Sequence, residues 1–299
     1  MIRKLWSSLA RVVSSSSSVT ESLSDEDFVR VCYEIILGRA PDRQGFFSHV
    51  KALKDGVPRQ QIVRRFLDSP ELERRLLERN PLEALHSARM KFIQSLPPAD
   101  YILDLGGAAR DCEDGALYAM GYPHPSKKVY IVDLPPDSRI EKPTYEAKRT
   151  VKTERTTVEY VFSSMADLSM IESNTIDLVF SGESIEHITE QEAEHTIREA
   201  YRVLRTGGYF CLDTPNARMT RIQSPKVFIH PEHKKEYRFE ELRIKLTAAG
   251  FAVEESGGIC PMRESVRSGI FDEKEMVRNP VVDSDPEVCY LLFFKCKKP

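Results

Sequence analysis

The 299-residue chain has little that would mark it as a metal-ribbon, redox, membrane or nucleic-acid protein. Its six cysteines are scattered (Cys32, Cys112, Cys211, Cys260, Cys289, Cys296), and no pair has CxxC spacing. Zinc-ribbon and dithiol motifs are therefore absent, and the thiols read as reduced core residues. No apolar run approaches the roughly 18 residues of a membrane span. Positive charge is not in excess: 43 Lys and Arg stand against 46 Asp and Glu, for a net charge of −3 and a pI near 6.2. A general nucleic-acid surface would be basic, so no nucleic-acid partner is expected. The basic residues at the start are not followed by a continuous apolar segment, which argues against a secretory signal. The Gly-x-Gly-x-x-Gly loop of nicotinamide oxidoreductases is missing, and no tandem repeat is visible. What remains is 41% hydrophobic, enough for one α/β domain and a smaller unit.

Three segments emerge. In residues 1–24, Ile2, Leu5, Trp6, Leu9, Val12 and Val13 recur at helical spacing beside Arg3, Lys4 and Arg11, and Ser14–Ser18 follow as a flexible linker. This pattern suits a basic amphipathic helix on a membrane surface or partner through residues 2–13. It equally suits a loose or locally packed terminus. Residues 25–79 predict a small all-helical domain. Phe28, Val29, Cys32, Ile35 and Ile36 form one stripe, Gly38 suits a helix C-terminus, and Asp42 can cap the next helix. Residues 46–53 and 60–67 read as further helices, and the charged stretch 71–79 reads as a connector. Residues 80–299 begin with a helix over 81–96 that Pro97-Pro98 breaks. Strands and helices then alternate, which implies a parallel sheet covered on both faces.

The densest signal is Tyr101-Ile-Leu-Asp-Leu-Gly-Gly-Ala-Ala-Arg110: an apolar strand ending in an acid, then a small-residue turn against which a nucleotide can lie. Lys128–Asp133, Val158–Phe162 and Thr175–Ser181 are further strand-like runs. They lead to Ile185-Glu-His-Ile188, Arg202-Val-Leu-Arg-Thr-Gly-Gly208, Thr214-Pro-Asn216 and Glu240–Phe251. In this order the segments resemble the class I methyltransferases that use S-adenosylmethionine (SAM), over about residues 82–297. Leu37-Gly-Arg-Ala-Pro-Asp-Arg-Gln-Gly45 resembles small bacterial LGRxPDxxG helical modules of unknown function, which recur in proteins tied to cell surfaces and glycans. The first resemblance implies a Rossmann-like α/β fold with a seven-stranded, mostly parallel sheet whose last strand, about 288–294, runs antiparallel.

It also implies a SAM site. Asp104 would lie near the methionine ammonium, Gly106 and Gly107 would let the backbone approach, and Asp133 would accept the ribose hydroxyls, with Leu134 beside it. The family's further loop glycines fall on Ala108 and Arg110, and the guanidinium fork of Arg110 can meet the methionine carboxylate. Ser164 takes the place of the adenine-amine acceptor. Met165 packs either the base or the core, and Ser181 closes the fourth strand. On the acceptor side, Glu186 and His187 follow that strand, and His233 lies in the insertion after the fifth. His187, His233 and Glu186 are the candidate catalytic residues, with Glu183 and Tyr237 next, since removing an acceptor proton needs a positioned base. His230, Glu232 and His233 offer two imidazoles with no well-placed third ligand, so no metal is expected.

Three readings stay open. The first is a SAM-dependent O-methyltransferase acting on a bacterial glycan, sugar or lipid-linked intermediate, working with glycan-biosynthesis proteins in the cytoplasm, at the inner membrane surface if residues 2–13 bind it. The second is a degenerate scaffold or binding protein of the same fold, motivated by Ala108, Arg110 and Ser164. The third is a nicotinamide oxidoreductase, which gives the Arg202–Gly208 and Thr214–Asn216 segments no place.

Overall fold

The computed structural model describes residues 23–77, 80–135 and 150–299. The amphipathic pattern of residues 2–13 lies outside them. The chain divides into two compact units, 1–81 and 82–299.

In the first unit, helices Asp25–Cys32, Arg43–Lys54, Arg59–Leu67 and Pro70–Leu77 are described, with a π turn over Tyr33–Leu37. The fourth lies where a connector was expected. Phe28, Val29, Ile62 and Phe66 face a shared core. The Leu37–Gly45 motif has a structural explanation. Gly38 takes φ +62° at the helix end, a region that penalises side chains with a Cβ. Arg39 donates to both carboxylate oxygens of Glu71 at 2.5 and 2.6 Å and lies over the Tyr33 ring. Asp42 accepts from the Gly45 N–H at 2.8 Å as an N-cap. A Cβ on Gly45 would stand 2.1 Å from the Tyr33 hydroxyl.

The second unit is built on one mixed sheet. Among the described residues its strands are β1 (Tyr101–Leu105), β2 (Lys128–Asp133), β3 (Thr150–Lys152), β4 (Thr157–Phe162), β5 (Ile176–Gly182), β6 (Leu204–Pro215), β7 (Ala252–Pro261), β8 (Val282–Asp283) and β9 (Cys289–Lys297). Their order is β3-β4-β2-β1-β5-β6-β9-β7-β8. The β4-β2-β1-β5-β6 run is parallel, and β9 lies antiparallel between β6 and β7. The expected seven strands thus become nine. The additional β3 and β8 are edge strands of three and two residues, paired antiparallel. They are too short to show a period-2 pattern.

Alternation along each strand explains the covered faces. Ile102, Leu178 and Phe293 turn to one hydrophobic layer, with Phe92 of helix Pro81–Ile93. Leu103, Val179 and Phe294 turn to the other, with Ile197 of helix Glu190–Val203. That second helix starts at a capping box, in which Thr189 and Glu192 satisfy each other's backbone N–H groups. The helix after the glycine loop is only Ala116–Ala119, so Asp111, Glu113 and Asp114 lie in the preceding loop.

Candidate active site

The parallel strands deliver their C-terminal ends to one cavity of about 890 Å³, within the usual range for small-molecule sites. Gly106 lines it with φ +71°, and a Cβ there would stand 2.7 Å from the Ser184 Cβ. Asp133 lines it at the end of β2. One carboxylate oxygen accepts the Ala108 N–H at 3.0 Å and the other the Leu134 N–H at 2.7 Å. Ala108, Leu134, Ser164 and Met165 lie on the same wall, and the Ser164 hydroxyl accepts the Ala166 N–H at 3.2 Å.

Four expected cofactor residues do not line this cavity. Asp104 is tucked beneath the loop, where its carboxylate accepts the Leu117 N–H at 3.3 Å. Burial pushes it up to about 7. The glycine at 107 is what permits this, because a Cβ there would come within 2.1–2.5 Å of the Asp104 carboxyl atoms. Gly107 therefore houses Asp104. Ser181 is buried and shares a 2.7 Å hydrogen bond with the Ser184 hydroxyl. The Arg110 side chain is 61% exposed and sits 4.0 Å from Asp111.

The acceptor-side expectations also sort. Glu186 is a correction: it is 1% exposed and does not line the cavity. Its carboxylate accepts the Thr214 hydroxyl at 2.9 Å, and its carbonyl accepts the Lys234 and Lys235 N–H groups at 2.8 and 3.2 Å. Burial, with Glu183 nearby, pushes its carboxyl up to about 8. The residue thus pins the 230–237 insertion to the turn Ile185–His187. Tyr237 is packed in the core rather than at the site. His187 and His233 do line the cavity. Burial, then the neighbouring His233, holds His187 below the ordinary histidine range.

The structure also brings together residues that the sequence left apart. The expectation that His230 and His233 lack a third partner is corrected, because His187 joins them. The three imidazoles each offer a nitrogen within 4.8 Å of the others. The His187 ring meets those of His233 and His230 edge-on, at centroid distances of 4.9 and 5.7 Å. Glu183 lines the cavity at φ +47°, an unusual conformation for a residue with a Cβ. Its carboxylate pairs at 2.7 Å with Arg89, which also donates to Asp213 at 2.7 Å. Arg89 and Asp213 are buried. No sequence signal singles out Arg89, because its partners lie far along the chain.

Residues 114–212 match the family described as "Methyltransferase domain". This stretch is similar to methyltransferase domains. Residues 10–76 match the family described as "Domain of unknown function (DUF4214)". A curated Mycolicibacterium smegmatis protein named "Probable S-adenosylmethionine-dependent methyltransferase" is 33% identical over 102 residues, which cover 34% of this chain and 38% of that protein. A Mycobacterium tuberculosis protein of the same description is 34% identical over 94 residues, 31% of this chain and 33% of its own. The chain thus spans well under half the length of these relatives. Among solved structures, a complex between the Haloferax volcanii Trm112 methyltransferase activator and a methyltransferase aligns with a TM-score of 0.50 at 17% identity. The alignment covers 73% of this chain and 91% of that one. That likeness supports the α/β Rossmann-like fold.

Proposed function

We propose that the protein is a SAM-dependent methyltransferase that methylates a hydroxyl of a bacterial glycan, sugar or lipid-linked intermediate. The observation that carries this is the cavity at the strand ends, lined by both the Gly106 turn and the Asp133 carboxylate, in a unit whose residues 114–212 match a methyltransferase family. The residues fit the cofactor: Gly106 leaves space that a Cβ would fill, and Asp133 brings a carboxylate, the group that holds ribose hydroxyls in nucleotide sites, to the cavity wall. Gly106, Ala108, Asp133, Leu134, Ser164 and Met165 would hold it, with the backbone and Asp133 supplying orientation. When bound, SAM supplies a methyl group activated by its sulfonium. The imidazoles of His187, His230 and His233 line the same cavity and would position the acceptor, since methyl transfer depends chiefly on alignment.

The glycan assignment is supported by the polar side chains of Glu232 and Lys234 on the cavity wall and by the module that the Leu37–Gly45 motif resembles. Glycan-biosynthesis proteins are the partners this reading proposes. It also places the protein in the cytoplasm, held at the inner membrane surface by residues 2–13. No helix among the described residues is long and apolar enough to cross a membrane.

Calorimetric titration of SAM into the purified chain tests the proposal, with saturable one-to-one binding expected. Methylation should then appear against a panel of sugars and lipid-linked glycans. No heat and no thermal shift with SAM or its demethylated product would refute the cofactor reading. Binding without transfer to any acceptor would instead favour the scaffold reading.

A further inference from the structure

We infer that His187, His230 and His233 form a binding site for a zinc-class divalent cation on the cavity wall. Three observations converge. The first is proximity: the three ring nitrogens lie within 4.8 Å of one another. A tetrahedral ion with Zn–N bonds of about 2.0–2.1 Å holds its ligand nitrogens about 3.4 Å apart. The His230 side chain, 47% exposed, has room to close that difference.

The second is orientation. The Nδ1 of His233 lies 3.0 Å from the buried Glu236 carboxylate. That carboxylate also accepts the Thr220 hydroxyl and the Ile229 N–H. A carboxylate there fixes Nδ1 as the protonated nitrogen and leaves the Nε2 lone pair for a ligand, the outer-shell arrangement of histidine metal sites. The third is anchoring. The Glu186 carbonyl holds the backbone of Lys234 and Lys235. The turn bearing His187 and the insertion bearing the other two histidines are thereby fixed to each other.

Three imidazoles select zinc and its neighbours over magnesium or calcium, which take oxygen ligands. Glu183 and Glu232 line the same cavity and favour positive charge. All three histidines face the cavity, so a fourth ligand position opens towards it. Resting on the methyltransferase reading above, that position takes the acceptor oxygen. The ion lowers the pKa of the coordinated hydroxyl: the O–H bond breaks, the proton passes to solvent, and the oxygen keeps the electron pair.

The test is zinc chloride titrated calorimetrically into the chelator-treated full chain, in a Cys112→Ser background that removes the least buried thiol. Cobalt(II) absorption reports the coordination geometry. One ion per chain is expected at micromolar affinity or tighter. Excess magnesium should not displace it. His187→Ala, His230→Ala and His233→Ala should each weaken binding by at least the ~100-fold at the top of the outer-shell range, and Glu236→Gln by about 10–100-fold. Circular dichroism and the isosteric His→Asn variants guard against misfolding. A parent chain that binds no zinc, or folded histidine variants that bind it as the parent does, overturns the inference. SAM affinity is measured in parallel. Zinc bound by a chain that takes no SAM upholds the ion site and removes the role assigned to it. SAM bound by a chain that takes no zinc removes the site and leaves the transferase.

Discussion

Replacing Arg89 with methionine should separate electrostatic from packing contributions at the floor of the site. Arg89 is buried and pairs at 2.7 Å with both Asp213 and Glu183. The Asp213 side chain is 0% exposed, and its second carboxylate oxygen has no hydrogen-bond partner among the described residues. Burial raises the Asp213 carboxyl well above the ordinary range, against the pull of the Arg89 guanidinium. Removing one partner of a buried ion pair costs about 3–5 kcal/mol, because the other charge is left uncompensated. The cost should depend on pH in a defined direction. A carboxyl whose folded-state pKa is raised binds more protons folded than unfolded, so stability falls as pH rises through that window. Without Arg89 the folded pKa climbs further. Protonating Asp213 removes its share of the charge penalty, so the loss should be smaller at pH 5 than at pH 8. Urea unfolding of parent and Arg89→Met at both pH values, followed by circular dichroism, measures this. A loss below about 1 kcal/mol at pH 8, or the same loss at both pH values, would refute the argument.

Asp104 gives a second pH test. Burial pushes it up to about 7, so it lowers stability progressively between the unfolded carboxyl value near pH 4 and about pH 7. Asp104→Asn keeps an acceptor for the Leu117 N–H and should flatten that decline, gaining on the order of 2–4 kcal/mol at pH 8; a slope equal to the parent's in thermal unfolding would show that Asp104 is not responsible. Asp133→Ala removes the acceptor of the Ala108 and Leu134 N–H groups and should weaken SAM binding by about 1–3 kcal/mol in calorimetry, with unchanged affinity counting against the assigned ribose contact. Deleting residues 1–79 should leave a soluble remainder that unfolds cooperatively by circular dichroism and keeps parent-like SAM affinity, because Phe28 and Phe66 belong to one core and Phe92 and Phe293 to another. An insoluble remainder would show that the second unit depends on the first.

The legible parts of the fold were those in which a local pattern coincided with a tertiary requirement. The apolar runs around Asp104 and Asp133 coincide with β1 and β2, because a parallel strand buried on both faces is almost uniformly apolar; Asp133 closes β2, and β1 runs one residue past Asp104. The Pro97-Pro98 break was readable for a similar reason, whereas the antiparallel direction of β9 followed from the family resemblance alone. Side-chain direction was not readable. Asp104, the penultimate residue of β1, folds under Gly107, whereas Asp133, the last residue of β2, faces the cavity. Glu183 and Glu186 are three residues apart. The positive φ at Glu183 reverses the chain locally, so that Glu183 reaches the cavity and Glu186 is buried against Thr214. Sequence spacing encodes neither outcome. The Arg89–Asp213 pair and the third histidine arise from contacts between distant segments, which an isolated sequence does not report.

His187 carries two chemical assignments that exclude each other. An imidazole nitrogen that gives its lone pair to a cation cannot also take a proton from the acceptor. As a lone general base, His187 would stand apart from its neighbours: its loss would depress turnover by about 10²–10⁴-fold, while loss of His230 would do little. As one of three ligands it is equivalent to the other two, and Glu236, which does not line the cavity, becomes important through His233 alone. The geometry favours the second pattern. The buried carboxylate is spent on His233 rather than on His187, whereas a histidine acting as base is normally oriented by a group behind its own ring. The ranking of Glu236→Gln against His230→Ala, measured as zinc affinity and as turnover, therefore distinguishes a base from a ligand at this site.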